Sequence, residues 1–212
     1  MTQVFQPADL GSLALKNRLV HSATFECMAD ENGAVSDQMV KRYANLAKGE
    51  VGLIIPGYMY VHPRGKASAR QTGIHDDRLI AGLTRLVDAV HADGGRIAFQ
   101  LAHGGRQCPR KVIGKPPLAP SKFGRDPASM NRPVAATEAD IAHVITAFAD
   151  AARRAFDRVA LNLVDSFKID VIALGGYMSY ITLDRCVNVH PAGATECLRL
   201  RIPRLPQSHT EH

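Results

Sequence analysis

Three short segments of the chain carry groups suited to binding a flat, ring-shaped ligand. They are residues 22–27, 57–60 and 100–106. Small residues such as Ala23 and Gly57 let backbone N–H and C=O groups come close to a planar heterocycle. The side-chain amide of Gln100 has both a donor and an acceptor, which suits a pyrimidine-like edge with alternating N–H and C=O groups.

Each of these segments follows an apolar run that is typical of a buried strand. Helical patterns with one apolar face alternate with these runs. Ser36 or Asp37 can cap the first helix, Gly94 and Gly95 end the second, and Thr137 to Asp140 form a capping box for the last. The predicted order is strand 17–23, helix 36–48, strand 51–57, helix 79–90, strand 96–101, loop 103–136 and a helix after residue 137.

This alternation predicts an α/β fold with parallel strands. Each unit is about 40 residues long, which is typical of the repeat of a (β/α)8, or TIM, barrel. Ligands of such folds bind at the C-terminal ends of the strands, so the three segments are expected to meet at one mouth. Loop 103–136 is rich in Gly and Pro and is expected to be functional or disordered.

Composition narrows the class of protein. The chain has 212 residues, of which 46% are hydrophobic, enough for one packed domain. No apolar run reaches the roughly 18 residues that cross a bilayer, and residues 1–10 lack the apolar core of a secretory signal, so a cytoplasmic protein without membrane contact is expected. The net charge of +6 is scattered, which disfavours nucleic acid as a partner. The four cysteines form no CxxC pair and predict separate thiols rather than a zinc site.

Four motifs resemble those of the Old Yellow Enzyme-like NADH:flavin oxidoreductases. Residues 17–24 resemble the family's first strand, residues 52–58 with 63–65 its second, residues 100–106 its third, and residues 119–121 the following loop. Order and spacing also agree, and the resemblance covers residues 5–155. It implies a (β/α)8 barrel with noncovalent FMN at the C-terminal mouth.

The resemblance also implies a reaction. Hydride would pass from NADH or NADPH to N5 of the flavin and then to an activated C=C bond of a small, enone-like substrate. Carried over position by position, Ala23 and Thr24 would make backbone contacts beside the isoalloxazine ring. Gly57 and Tyr58 would lie near its N5/O4 edge, and Gln100 would bond its pyrimidine edge.

Other residues in or near these motifs receive weaker or structural roles. Phe25 falls where some family members carry a redox-tuning Cys and others a Thr; a phenyl ring offers no hydrogen bond, and Phe25 is predicted to face the substrate. His103 and Arg106 are interpreted either as site residues or as braces of the loop. Tyr60 is predicted to pack in the mouth, and His75 to lie in solvent.

The family's fourth strand carries a His-x-x-His or His-x-x-Asn pair that polarises the substrate carbonyl. No such pair occurs in residues 156–166, so no catalytic residue is assigned. In one interpretation, residues 156–161 are a shortened fourth strand with Asn162 in place of the first His. In the other, the chain passes directly to a later unit, with helix 161–168 followed by strand 170–176, which resembles the sixth strand. The second order fits the repeat better.

The predicted barrel is therefore incomplete. Residues 1–176 would form a partial FMN-binding barrel of about four βα units. Residues 177–212 would be an irregular tail without the phosphate-gripping Arg and Gly residues of the family's last units. An open half-barrel exposes sheet edges and an apolar face, so the chain is expected to be poorly stable alone or to form homo-oligomers.

These observations leave three hypotheses about function. The first is an FMN-dependent NAD(P)H oxidoreductase of the ene-reductase type. The alternative is a non-catalytic, truncated remnant of the family that does not bind flavin. A third, a barrel enzyme that acts on phosphate-bearing substrates without flavin, is disfavoured by loop 103–136 and the motif around Gln100.

Overall fold

The structure of the protein is a computed structural model. It describes residues 3–10, 13–122, 124–126, 129–155 and 172–176. Contacts along the chain group Met1–Tyr177 into one compact unit and Met178–His212 into another. The second unit lies outside the described residues, so the irregular tail expected at 177–212 stays a prediction.

Strands and helices alternate along the described chain after an N-terminal hairpin. The hairpin consists of β1 (Ala8–Leu10) and β2 (Leu13–Leu15). The elements that follow are β3 (Val20–Thr24), α1 (Asp37–Lys48), β4 (Leu53–Pro56), β5 (Met59–Tyr60), α2 (Ile80–His91), β6 (Arg96–Ile97), β7 (Phe99–His103), α3 (Arg110–Ile113), β8 (Leu118–Ala119), β9 (Val134–Ala135), α4 (Glu138–Arg153) and β10 (Ile172–Gly176).

The central strands are parallel, which confirms the predicted α/β fold. β4 pairs with β3 and β6, and β7 pairs with β5 and β10. Only Gly57 and Tyr58 separate β4 from β5, and only Ala98 separates β6 from β7, so the two three-stranded sheets continue each other. The strands therefore follow one another across the sheet in the order β3, β4–β5, β6–β7 and β10. The described residues do not form a closed barrel.

The first two long helices, α1 and α2, begin and end within one residue of the positions that the sequence predicted. The Ser36 side chain accepts a hydrogen bond from an N–H in the first turn of α1. Before α4, the Thr137 hydroxyl accepts the N–H of Asp140, whose carboxylate in turn accepts the N–H of Thr137, so the capping box is confirmed. α2 ends at His91, shortly before Gly94, which has a positive φ of 68°.

β3 corresponds to the first predicted strand. It begins at Val20, whereas the sequence pattern placed its start at Asn17. Asn17 is buried and joins separate segments instead. Its Oδ1 accepts the N–H of Leu19 at 3.0 Å, and its Nδ2 donates to the carbonyl of Glu50 at 2.6 Å. A Cβ at Gly52 would lie 2.6 Å from the Asn17 carbonyl oxygen, so only glycine allows this approach.

Both faces of the strands are covered by apolar side chains. On one face, Ile54 and Leu101 pack in a core with the apolar sides of α1 and α2. On the other face, Leu53 and Ala98 pack against Leu13 and Leu15 of β2. A parallel sheet needs such cover on both faces, and the hairpin supplies part of it.

The N-terminal hairpin can also be recognised in the sequence, from a turn signal rather than from apolar periodicity. Leu10 of β1 pairs with Leu13 of β2, and in the sequence the dipeptide between them is Gly11–Ser12. A Gly-Ser pair between apolar residues is typical of a two-residue hairpin turn. In β2, Leu13 and Leu15 are buried and Ala14 is exposed, which is the alternation expected of a strand with one covered face.

Large apolar side chains are exposed in the N-terminal part of the unit. Phe5 is 62% exposed, Leu10 49% and Val20 51%. Among the described residues, β3 pairs with β4 alone, so its other edge is open. An open edge beside exposed apolar groups favours pairing with another strand.

We expect the chain on its own to be poorly stable or to self-associate, because the open edge of β3 has unpaired backbone groups. Size-exclusion chromatography with light scattering, over a range of concentrations, measures the mass of the particle. Urea unfolding measures its stability. A monodisperse monomer that unfolds cooperatively at low concentration would count against this expectation.

Replacing Thr137 with Ala removes the hydroxyl of the α4 capping box. The free energy of unfolding should fall by about 1 kcal/mol, the usual cost of losing a side-chain N-cap. Thr146→Ala is the matched control, because Thr146 is exposed within the same helix, where alanine is the better helix former. Urea unfolding provides the measurement, and equal destabilisation by the two substitutions would show that the cap is not responsible.

Candidate functional site

The predicted segments lie at or near the C-terminal ends of neighbouring strands, although the strand that carries Gln100 runs to His103, two residues beyond the predicted end at Leu101. Thr24, at the end of β3, is in register with Pro56 at the end of β4. Tyr60 of β5 is in register with Ala102 of β7. Gln100 lies in β7, between β5 and β10. Since these strands are parallel, their carboxyl ends face the same way and form one mouth.

Gly57 packs tightly against the segment that follows β3. A Cβ at this position would overlap Oε2 of Glu26 and lie 2.8 Å from the carbonyl oxygen of Thr24. The N–H of Gly57 donates to the Tyr43 hydroxyl at 3.3 Å, so this donor is engaged within the protein. Gly57 is therefore needed first for the close approach of the two strand ends.

Phe25 and Tyr58 form an aromatic pair at these ends. Their ring centroids are 5.6 Å apart and their planes are inclined by 39°. Phe25 is 38% exposed, so the pair presents ring surface to solvent. Behind it, the buried Gln71 side chain donates to the carbonyl of Tyr58 at 3.1 Å and accepts the N–H of Ala67 at 2.7 Å. Gln71 was not predicted, because both of its bonds depend on how the loop folds.

The end of β3 departs from a regular ladder. Its register against β4 shifts between His21 and Thr24. Ala23 lies within this shift and is partly buried, and Thr24 is exposed, with its hydroxyl donating to the carbonyl of Ser22 at 3.1 Å. Such an irregularity disrupts the ladder locally and leaves backbone groups unpaired, as a ring bound beside Ala23 would require.

Gln100 lies on the face of β7 opposite the helices. Phe99 and Leu101 are fully buried in the helix-side core, and side chains alternate between the faces of a strand. Gln100 is partly buried, so the residue is not fully enclosed by the protein. Gln100 has a donor and an acceptor, Phe25 and Tyr58 offer aromatic surface, and the irregular end of β3 offers backbone groups. Together these groups fit the isoalloxazine ring of FMN.

His103 is the last residue of β7 and packs against the segment that contains His62 and Gly65. A Cβ at Gly65 would overlap its ring, and the ring centroid of His62 is 6.4 Å away. Its Nδ1 accepts the N–H of Gly105 at 3.1 Å. Burial, assisted by the charges of His62 and Arg64, lowers the pKa of His103 to about 4, so the ring is neutral at pH 7.

Arg106 braces the loop that follows β7, which was one of the two interpretations of this residue. Its Nε lies 2.9 Å from Oδ2 of Asp126, which is 1% exposed. Nearby, the Asn131 amide donates to the carbonyl of Cys108 at 3.0 Å. The described part of loop 103–136 is thus held by an ion pair whose carboxylate, that of Asp126, is buried, and it also contains α3, β8 and β9.

Tyr60 is buried near the end of β5, as predicted, and His75 stacks on its ring. The centroids are 4.6 Å apart, and Lys66 Nζ lies 5.3 Å from the Tyr60 centroid. The Tyr60 hydroxyl donates to the carbonyl of Asn32 at 2.9 Å. The expectation that His75 lies in solvent is wrong, because the stacked ring is partly buried and burial lowers its pKa.

The segment after α4 is described only at its strand. The predicted strand 170–176 is present as Ile172–Gly176, while the predicted helix 161–168 and residues 156–160 lie outside the described residues.

In the described ranges, no group of three or more His, Cys, Asp or Glu is placed to hold a metal ion. No helix among the same residues is long and apolar enough to span a membrane. Cys27 and Cys108 are free thiols.

Comparison with known proteins points to one family. The sequence profile of the NADH:flavin oxidoreductase / NADH oxidase family matches residues 3–178. The chain is 36% identical to a metal reductase of Desulforamulus reducens, over 84% of this chain and 25% of that protein. It is also 36% identical to an NADPH dehydrogenase of Halalkalibacterium halodurans, over 79% of this chain and 50% of that protein. The chain thus spans a quarter to a half of these relatives. The structure of morphinone reductase in complex with tetrahydroNAD is similar with a TM-score of 0.71 and 27% identity, over 82% of this chain and 49% of that one.

His103 should make the protein less stable in acid. Its pKa is about 4 in the folded state and 6.5 ordinarily, so between these values the unfolded chain binds the proton more readily and stability is lost as the pH falls. The free energy of unfolding should drop by up to about 3 kcal/mol from pH 6.5 to pH 4. Asparagine can still accept the N–H of Gly105 but does not titrate, so His103→Asn should flatten this dependence in urea unfolding. An unchanged pH profile in the variant would contradict the assignment.

Proposed function

Because the chain belongs to the NADH:flavin oxidoreductase / NADH oxidase family, we propose that it is the flavin-binding part of an FMN-dependent NAD(P)H oxidoreductase of the ene-reductase type. The observation that carries this proposal is the position of the three candidate segments at the ends of neighbouring parallel strands. Parallel α/β folds bind their ligands at these ends.

The proposed architecture is the first part of a (β/α)8 barrel. β3, β4–β5, β6–β7 and β10 follow one another in parallel order, and the relatives that the chain matches are longer. β10 takes the fourth place in this order, next to β7, although its sequence resembles the sixth strand of the family. The partial barrel would cover residues 1–176, followed by the tail 177–212.

The residues around the mouth would hold the flavin ring as follows. Gln100 would bond the pyrimidine edge, Ala23 and Thr24 would provide backbone contacts, and Gly57 and Tyr58 would lie near the N5/O4 edge. Bound FMN would supply the redox chemistry: it would accept a hydride from NADH or NADPH and transfer it to one carbon of an activated C=C bond, and a proton from solvent would add to the other carbon. The protein contributes orientation and electrostatics to this chemistry. The complex of morphinone reductase with tetrahydroNAD supports a nicotinamide coenzyme as the donor.

The proposed substrate is a small, enone-like molecule. The exposed ring of Phe25, inclined against Tyr58, offers an apolar surface that suits a flat conjugated system. The group that polarises the substrate carbonyl is not assigned to any described residue.

A non-catalytic remnant that does not bind flavin is the alternative hypothesis. The closely packed mouth favours flavin binding, since Gly57 and Gln71 hold its backbone in one shape. A homo-oligomeric state and a cytoplasmic location stay predictions.

The purified protein should bind FMN, and Gln100 should contribute to the affinity. Binding should quench flavin fluorescence and raise the melting temperature, because the ligand binds the native state. Gln100→Leu should weaken binding by about tenfold or more, since polar groups of the ring lose their partner. Gln38→Leu is the matched control, because Gln38 is exposed on α1.

Two outcomes separate the hypotheses. If the unaltered protein neither quenches FMN fluorescence nor melts at a higher temperature with FMN, the remnant hypothesis is correct. If it binds FMN, anaerobic mixing with NADH or NADPH should bleach the flavin absorbance, and failure to bleach would indicate a flavin binder without the proposed activity.

A further inference from the structure

The ends of β3 and β4 are joined by side chains as well as by the sheet. The backbone ladder between these strands ends at Pro56. Beyond it, the Tyr43 hydroxyl of α1 donates to Oε1 of Glu26 and accepts the N–H of Gly57 at 3.3 Å. One hydroxyl group therefore links the segment after β3 to the segment after β4.

The surroundings of Tyr43 hold its hydroxyl in place. The residue is 0% exposed, and its ring lies edge-on to the ring of His21 at a centroid distance of 5.9 Å. Burial raises the pKa of Tyr43, and the neighbouring Glu26 raises it further to a smaller extent, so the hydroxyl keeps its proton. It can therefore donate one hydrogen bond and accept another at the same time.

Glu26 completes the link by direct contact. A Cβ at Gly57 would overlap Oε2 of Glu26 and would lie 3.2 Å from Cα of Phe25. The carboxylate thus lies against the backbone of Gly57 and brings the segment after β3 into contact with the segment after β4. The Phe25 side chain has no hydrogen-bonding group, so Glu26 supplies the polar side chain that ties this segment to Gly57 and Tyr43.

We propose that Tyr43 and Glu26 are positioning residues for the flavin, which fix the separation of residues 23–25 from residues 57–58. This inference rests on the proposed function, because it takes both segments to flank the isoalloxazine ring. A ring that contacts two segments needs both in place at once. Where they move independently, the affinity falls in proportion to the fraction of molecules in the competent arrangement.

Tyr43→Phe tests the link by removing the hydroxyl and keeping the ring. FMN affinity should fall by about three- to tenfold, as expected from the loss of one or two hydrogen bonds. In the flavin-free protein, amide hydrogen exchange should speed up in a peptide that contains Gly57, because this amide loses its acceptor.

Ser36→Ala is the matched control. Ser36 lies at the start of the same helix as Tyr43, and its hydroxyl accepts the N–H of Met39 at 3.2 Å, so this variant also loses a hydroxyl group and its hydrogen bond. Its substitution should lower the melting temperature to a similar extent, while FMN affinity stays within about twofold of that of the unaltered protein. A role of Tyr43 in stability alone would make the two variants alike in both measurements.

Two substitutions of Glu26 test the acceptor. Glu26→Gln retains an oxygen that can accept the Tyr43 hydroxyl, so most of the FMN affinity should remain. Glu26→Leu has a similar size and no acceptor, and it should weaken binding as much as Tyr43→Phe does. If Tyr43→Phe does not fold, the difference in FMN affinity between Glu26→Gln and Glu26→Leu still tests the link.

The outcomes distinguish this inference from the proposed function. If the unaltered protein binds FMN and Tyr43→Phe and Glu26→Leu bind it equally well, the inference is overturned and the proposed function stands. Unchanged exchange at Gly57 in flavin-free Tyr43→Phe would also overturn the inference alone. If the unaltered protein does not bind FMN, both are overturned.

Discussion

Parallel pairing of β3, β4–β5 and β6–β7 is the constraint on which the rest of the structure depends. Parallel neighbours need a long crossover between them and apolar cover on both faces. α1 and α2 provide the crossovers and pack on Ile54 and Leu101, while Leu13 and Leu15 of the hairpin pack on the other face. Because every strand points the same way, segments that are far apart in sequence meet at one mouth.

The shape of this mouth is determined largely by side chains that lie behind it. The Gln71 amide bonds the carbonyl of Tyr58, and the Tyr43 hydroxyl bonds the N–H of Gly57. Arg106 pairs with the buried Asp126 and orders the loop after β7. Burial of these groups is favourable only when their partners are present, so each of them ties the backbone of the mouth to the packing of the whole unit.

Local signals in the sequence predicted the helices well and the strand ends less well. Ser36 and Thr137 cap their helices through bonds to residues a few positions away, so a short window contains all that is needed. The start of β3 was placed too early because Asn17 is held by the carbonyl of Glu50, which lies far along the chain. His75 was expected in solvent because its partner, the ring of Tyr60, is likewise supplied by another segment.

The sequence by itself determined the alternation of strands and helices, the family motifs and the residues that could contact a flavin. These depend on residue type, spacing and apolar periodicity, which are properties of short stretches of chain. The tertiary structure decided that the N–H of Gly57 is already engaged, that His103 is neutral and that Glu26 lies against Gly57. Hydrogen-bond partners and burial depend on which segments the sheet brings together, and no local pattern encodes that order.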